Sequence, residues 1–212
     1  MTIAKFVAVV IIAYLLGSIP FGLIVGKLKA GIDIRDYGSG KTGATNVMRT
    51  VGTKFGILSM ILDAGKAYGA VILAKAIVGN SFLTIGSVPF QWQVAQVMAG
   101  LAAIAGHNWP VFAKFKGGRG VTAYFGTLFA ISPPVAIFGV EVLAVSALHS
   151  RHMSLGSILG VLAVWCLLVP LTIMYDFPPV YLAYGSAGVA LVVYQHRDNV
   201  KRLRQGTERR LW

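Results

Sequence analysis

Long apolar runs alternate with short polar stretches along this chain of 212 residues. A helix needs ~20 mostly apolar residues to cross the hydrocarbon core of a bilayer. Residues 3–25, 55–78, 155–175 and 179–195 meet or approach that length, and 94–106 does so if it begins near Phe90. The stretch 121–149 carries Pro133-Pro134 in its middle, so it reads as one kinked helix or as two short ones. Strand-like alternation is absent from the apolar runs. The pattern predicts an all-α, polytopic membrane protein, a single integral-membrane domain over residues 1–212.

Composition agrees: 56% of the residues are hydrophobic and 12% charged, about half the charged share of a soluble domain. The first run is too long for a signal-peptide core and is followed by similar runs, so it reads as a retained span. A net charge of +12, from 19 Lys+Arg against 7 Asp+Glu, would point to nucleic acid in a soluble protein. In a membrane protein it marks cytoplasmic loops, so nucleic acid is not expected as a partner. Cys166 sits alone in an apolar run and implies neither a disulfide nor a metal.

Charge also counts the spans. With seven spans and the N-terminus outside, residues 26–55, 113–120, 149–153 and 195–212 all fall on the cytoplasmic side. They hold 6, 3, 1 and 6 Lys/Arg, which is 16 of the 19. Six spans would send the basic tail to the opposite side, against the positive-inside rule. Seven spans therefore require two short helices, 121–131 and 135–149, with thinning or tilt to compensate.

Three polar clusters then share the cytoplasmic face. The first is Gly38-Ser39-Gly40-Lys41-Thr42-Gly43-Ala44-Thr45-Asn46-Val47-Met48-Arg49. Gly40-Lys41-Thr42 resembles the end of a nucleotide-binding loop, but Arg35 stands where that motif needs glycine, and a membrane span precedes it. Thr45, Asn46 and Arg49 after a glycine run could hold a phosphate at a helix start; the bland reading is a flexible linker. The second runs from Gly106-His107-Asn108-Trp109-Pro110 to Lys116-Gly117-Gly118-Arg119-Gly120. Its glycines between cations fit an anion nest, or equally a tight re-entry into the bilayer. The third is His196-Arg197-Asp198-Asn199-Val200-Lys201-Arg202-Leu203. His196 and Asn199 share a helical face, while the distal cations resemble a basic tail on anionic lipid.

Deep in the apolar runs, Asp63 and Lys66 are three residues apart. Such charges are costly and are usually paired or functional. An ion pair within one helix and a supporting role behind the first cluster are equally good readings. Glu141 has no partner visible in the sequence. His149 and His152 lack further ligands, so no metal is expected.

Taken in order, the clusters resemble the three motifs of the acyl-phosphate-dependent glycerol-3-phosphate acyltransferases, small bacterial integral-membrane enzymes with seven spans. Gly38-Ser39, Gly43-Ala44-Thr45-Asn46 and Arg49 match the first motif. Gly106-His107, Pro110-Val111-Phe112, Phe115-Lys116-Gly117-Gly118 and Gly120 match the second, and His196, Asn199, Arg202-Leu203, Gly206 and Glu208 the third. Lys41-Thr42 depart from the family's usual Asn followed by Pro or an aliphatic residue, and Arg119 replaces a common Lys.

The resemblance implies acyl transfer from acyl phosphate to the 1-hydroxyl of glycerol 3-phosphate, giving lysophosphatidic acid and phosphate at the inner membrane. It implies catalytic roles for Ser39, Arg49, His107, His196 and Asn199. Substrate binding would fall to Lys41, Thr45, Asn46, Lys116, Gly117, Gly118 and Gly120, with no cofactor. Ser39, Thr45 and Arg49 would hold the acyl phosphate. Lys116 and its glycines would bind glycerol 3-phosphate, with His196 and Asn199 orienting it. The same residues also fit the two loops exchanged. An acyl phosphate is already activated, so no enzyme nucleophile is needed. The proton could pass to His107, to His196 or to the leaving phosphate. A transporter would instead place its polar groups near the bilayer midplane, and a scaffold would not need the glycine–cation loops.

Overall fold

A computed structural model describes residues 2–79, 83–85 and 88–211. They form ten α-helices and one short hairpin. The helices are α1 (Thr2–Gly17), α2 (Phe21–Ala30), α3 (Ala44–Thr50), α4 (Thr53–Val78), α5 (Trp92–Asn108), α6 (Val121–Ile131), α7 (Pro133–Ser150), α8 (Met153–Met174), α9 (Pro179–Gln195) and α10 (Arg197–Arg204). Strands β1 (Leu83–Ile85) and β2 (Val88–Phe90) pair antiparallel between α4 and α5. Apart from this pair the described elements are helical, in keeping with the all-α class. The pair takes up the residues before Trp92, so α5 starts after Phe90.

Among the described residues, four helical segments are long and apolar enough to cross a membrane: Ile3–Ala30, Thr53–Val78, Pro133–Ser150 and Met153–Met174. The first contains the expected span 3–25, although that run is not one unbroken helix. It breaks between Gly17 and Phe21, where Pro20 lacks an N–H and opens α2. The proline pair does not kink a helix either. Ser132 leads into α7 with Pro133 and Pro134 in its first turn, where missing N–H groups cost nothing. The preceding α6 has 11 residues, or about 16 Å.

The chain divides into two compact units, Met1–Ile131 and Ser132–Trp212. In the first, α4 packs on α1, α5 and α6, and α1 also packs on α5. In a bilayer such packing relies on close backbone approach, not on the hydrophobic effect. Gly17 lies against the backbone of Ala103 and Gly106 against that of Tyr14, where a side chain would collide. In the second unit α8 packs between α7 and α9, with Gly156 and Gly160 set against Ala147 and Leu143.

Candidate active site

The first cluster is organised around one side chain. Asn46, buried near the start of α3, donates from Nδ2 to the carbonyls of Ile34 at 2.8 Å, Tyr37 at 3.2 Å and Lys41 at 2.9 Å. Its Oδ1 accepts the Ser39 N–H at 2.9 Å. Asn46 thus braces the loop from inside, while Ser39, Lys41 and Thr45 stay half-buried and Arg49 is exposed in the last turn of α3. Gly38 is required here: it is left-handed (φ 58°), and a Cβ would strike Asn46 Oδ1.

The second cluster folds back on the end of α5. Gly118 donates its N–H to the His107 carbonyl at 3.0 Å. A Cβ on Gly117 would strike that carbonyl oxygen, and one on Gly118 would strike Nε2 of His107. These glycines therefore let the loop lie directly on the histidine. Just before them, Lys114 (φ 55°) and Phe115 (φ 60°) are both left-handed, at a cost of about 1–2 kcal/mol each. The two clusters meet where Thr42 N–H donates to the Gly117 carbonyl at 3.4 Å.

His107 has a further partner that spacing could not reveal. Its Nδ1 lies 3.5 Å from Oδ1 of Asp63, which is 2.6 Å from Nζ of Lys66. Lys66 in turn donates at 2.6 Å to the carbonyl of Ile19, at the break between α1 and α2. Backbone freed from a helix at membrane depth needs such a donor. His107 thus turns Nδ1 toward the Asp63 carboxylate and Nε2 toward Gly118. The ion pair within α4 expected from sequence is present, and its neighbour is the second cluster, not the first. The only sequence signal for it was the presence of charge in an apolar run.

In the second unit His196 ends α9, buried, with Nδ1 donating to the Val192 carbonyl at 2.8 Å. Asn199 on α10 is also buried and donates to Glu208 Oε1 at 2.6 Å. Ser154 donates to the same oxygen at 3.0 Å, and Arg202 to Oε2 at 2.7 Å. Burial pushes the Glu208 carboxyl up, but the bonds from Asn199, Arg202 and Ser154 outweigh it and leave it below the ordinary carboxylate range. Glu208 thus ties the third cluster to the start of α8.

The arrangement in the first unit offers backbone donors, cations and a buried imidazole around two touching loops. It can neutralise and align phosphates, and it contains no nucleophile–base–acid triad among the described residues. Known proteins resemble this chain over nearly its whole length. The sequence profile described as "Glycerol-3-phosphate acyltransferase" matches residues 7–206. Glycerol-3-phosphate acyltransferase 3 of Dehalococcoides mccartyi (strain ATCC BAA-2266 / KCTC 15142 / 195) is 52% identical over 100% of this chain and 98% of its own. The Aquifex aeolicus glycerol-3-phosphate acyltransferase is 39% identical, covering 97% and 99%. Among solved structures, the glycerol 3-phosphate form of PlsY (YgiH), an integral membrane glycerol 3-phosphate acyltransferase, superposes with a TM-score of 0.83 at 39% identity, covering 97% of this chain and 94% of that one. Its lysophosphatidic acid form gives 0.81. Matched by that profile over residues 7–206 and by these relatives over nearly its whole length, the chain belongs to the glycerol-3-phosphate acyltransferase family of integral-membrane enzymes.

Proposed function

We propose that this protein transfers a fatty acyl group from acyl phosphate to the 1-hydroxyl of glycerol 3-phosphate, the first acylation of phospholipid synthesis. The observation that carries the reading is the contact of two glycine–cation loops through Thr42 and Gly117. Both substrates carry phosphate, and two adjoining anion sites would bring the hydroxyl of one to the carbonyl of the other. PlsY, at 39% identity, has been solved with glycerol 3-phosphate and with lysophosphatidic acid, which supports the acceptor and the product.

The hydroxyl oxygen attacks the acyl carbon, the bond from that carbon to the phosphate oxygen breaks, and phosphate leaves with the electron pair. Ser39, Thr45, Lys41 and Arg49 hold the acyl phosphate and stabilise the developing charge on the leaving group. Lys116, Gly117, Gly118 and Gly120 bind glycerol 3-phosphate. His196 and Asn199 are assigned to orient it by resemblance to the family's third motif. The hydroxyl proton goes to the departing phosphate. His107 is the alternative acceptor, with Nε2 turned toward Gly118.

The same reading places the enzyme in the bacterial cytoplasmic membrane with seven spans, the N-terminus outside and the loops facing the cytoplasm. The location of 16 of 19 Lys/Arg in four segments supports it. Purified protein in detergent, given palmitoyl phosphate and glycerol 3-phosphate, should release phosphate and form lysophosphatidic acid. Turnover with acyl-CoA or acyl carrier protein but not with acyl phosphate would overturn the donor assignment.

A further inference from the structure

Arg35 lies just before the first cluster and has no role in the chemistry above. Asp33 grips its guanidinium: Nε is 2.9 and 3.2 Å from the two carboxylate oxygens, and one terminal nitrogen is 2.6 Å from Oδ2. The Arg35 backbone N–H also bonds Oδ1, at 3.0 Å. The guanidinium beside Asp33 holds its carboxyl down to about 2, so the pair stays ionised at any working pH. The other terminal nitrogen turns away from the carboxylate and donates at 3.0 Å to the Ala113 carbonyl, 78 residues along the chain.

A cation serving only as a cytoplasmic marker would extend into water. Here the side chains of Arg35 and Asp33 are only 23% and 25% exposed, and the fork is divided between a carboxylate and a backbone oxygen of the second loop. That oxygen is a particular one. It also accepts the N–H of Lys116 at 3.2 Å, across the two left-handed residues Lys114 and Phe115. Fixing the Ala113 oxygen therefore fixes the start of the Lys116-Gly117-Gly118 run. Ile34, next to Arg35, is fully buried, and its carbonyl is held by Asn46. The base from which Arg35 reaches is itself rigid.

We propose that Arg35, gripped by Asp33, is a positioning residue that sets the second loop on the first and so places Lys116, Gly117 and Gly118 for the phosphorylated acceptor. The inference rests on the reading that these three groups bind glycerol 3-phosphate. A guanidinium suits this role because its rigid planar fork holds the carboxylate through two nitrogens and still directs the third at the carbonyl.

The test uses detergent-purified full-length protein, with steady-state kinetics and backbone amide exchange measured on the same samples. Arg35→Gln is expected to raise the KM for glycerol 3-phosphate about ten-fold or more, with a smaller change in kcat. It should speed amide exchange across residues 115–118 by about the same factor, while α4 and α5 keep their protection. Arg35→Lys should fall between wild type and Arg35→Gln. Lys114→Gly removes the cost of one left-handed residue, so the loss from Arg35→Gln should shrink in that background. If Arg35→Gln does not fold, Arg35→Lys and Asp33→Asn carry the same two measurements. Folded variants with wild-type KM and wild-type loop exchange would overturn the proposal, as would exchange accelerated equally throughout α4 and α5. If wild type fails to turn over acyl phosphate while Arg35→Gln still loosens residues 115–118, the substrate reading falls and the positioning role stands.

Discussion

His107 turns Nδ1 toward Oδ1 of Asp63, 3.5 Å away, with both side chains buried. The carboxylate also faces Lys66, which donates to the Ile19 carbonyl at the helix break. One acid thus links the helix break between α1 and α2, the long helix α4 and the histidine beneath the second loop.

Removing one member of that cluster leaves a buried charge uncompensated. Asp63→Ala should destabilise the detergent-solubilised protein by about 3–5 kcal/mol. Asp63→Leu combined with Lys66→Met should cost less than the two single changes summed. Thermal unfolding of the four proteins decides this, and strict additivity would show that the pair is not coupled.

Asn46→Asp keeps the shape of the side chain but exchanges the donating Nδ2 for an oxygen facing three carbonyls, those of Ile34, Tyr37 and Lys41. We expect the first loop to open and activity to fall about a hundred-fold or more, since each unsatisfied buried group costs about 1–3 kcal/mol. Activity near wild type would mean that the brace is dispensable.

Glu208 predicts a pH dependence. Its folded pKa lies below the ordinary value, so it contributes stability that is complete above the unfolded carboxyl pKa. That stability is lost as pH falls through the folded one. Wild type should therefore lose stability on acidification more steeply than Glu208→Gln, which starts lower and titrates nothing there. Parallel unfolding curves from pH 7 downward would contradict this.

Lys116→Ala should raise the KM for glycerol 3-phosphate at least about ten-fold, the scale of a lost charge-assisted bond, with little effect on that for palmitoyl phosphate. A rise confined to palmitoyl phosphate would exchange the two loops.

Much of this protein is legible in its linear pattern. Membrane spans are legible because a helix in lipid needs an uninterrupted length of apolar side chains, and length is a one-dimensional property. The clusters are legible because glycine, Lys, Arg and His stand out against such a background. The proline pair at 133–134 also separates α6 from α7 as its chemistry requires.

Other features depend on atoms far apart in sequence. The break at Ser18–Pro20 was hidden within an apolar run, and Lys66, 47 residues away, supplies a donor to it. The hairpin before α5 rests on pairing between strands of three residues each, too short to show a period. Asn46 and Thr45 look alike as donors in a string of letters, yet the fold turns one inward to brace the loop. The glycines of the second cluster suggested an anion nest, and the structure adds that they make room for His107. Composition and spacing therefore determined the class and the motifs. Only the tertiary structure decided which polar groups support the loops and which face outward from them, because each hydrogen bond is a matter of a few tenths of an ångström between distant residues.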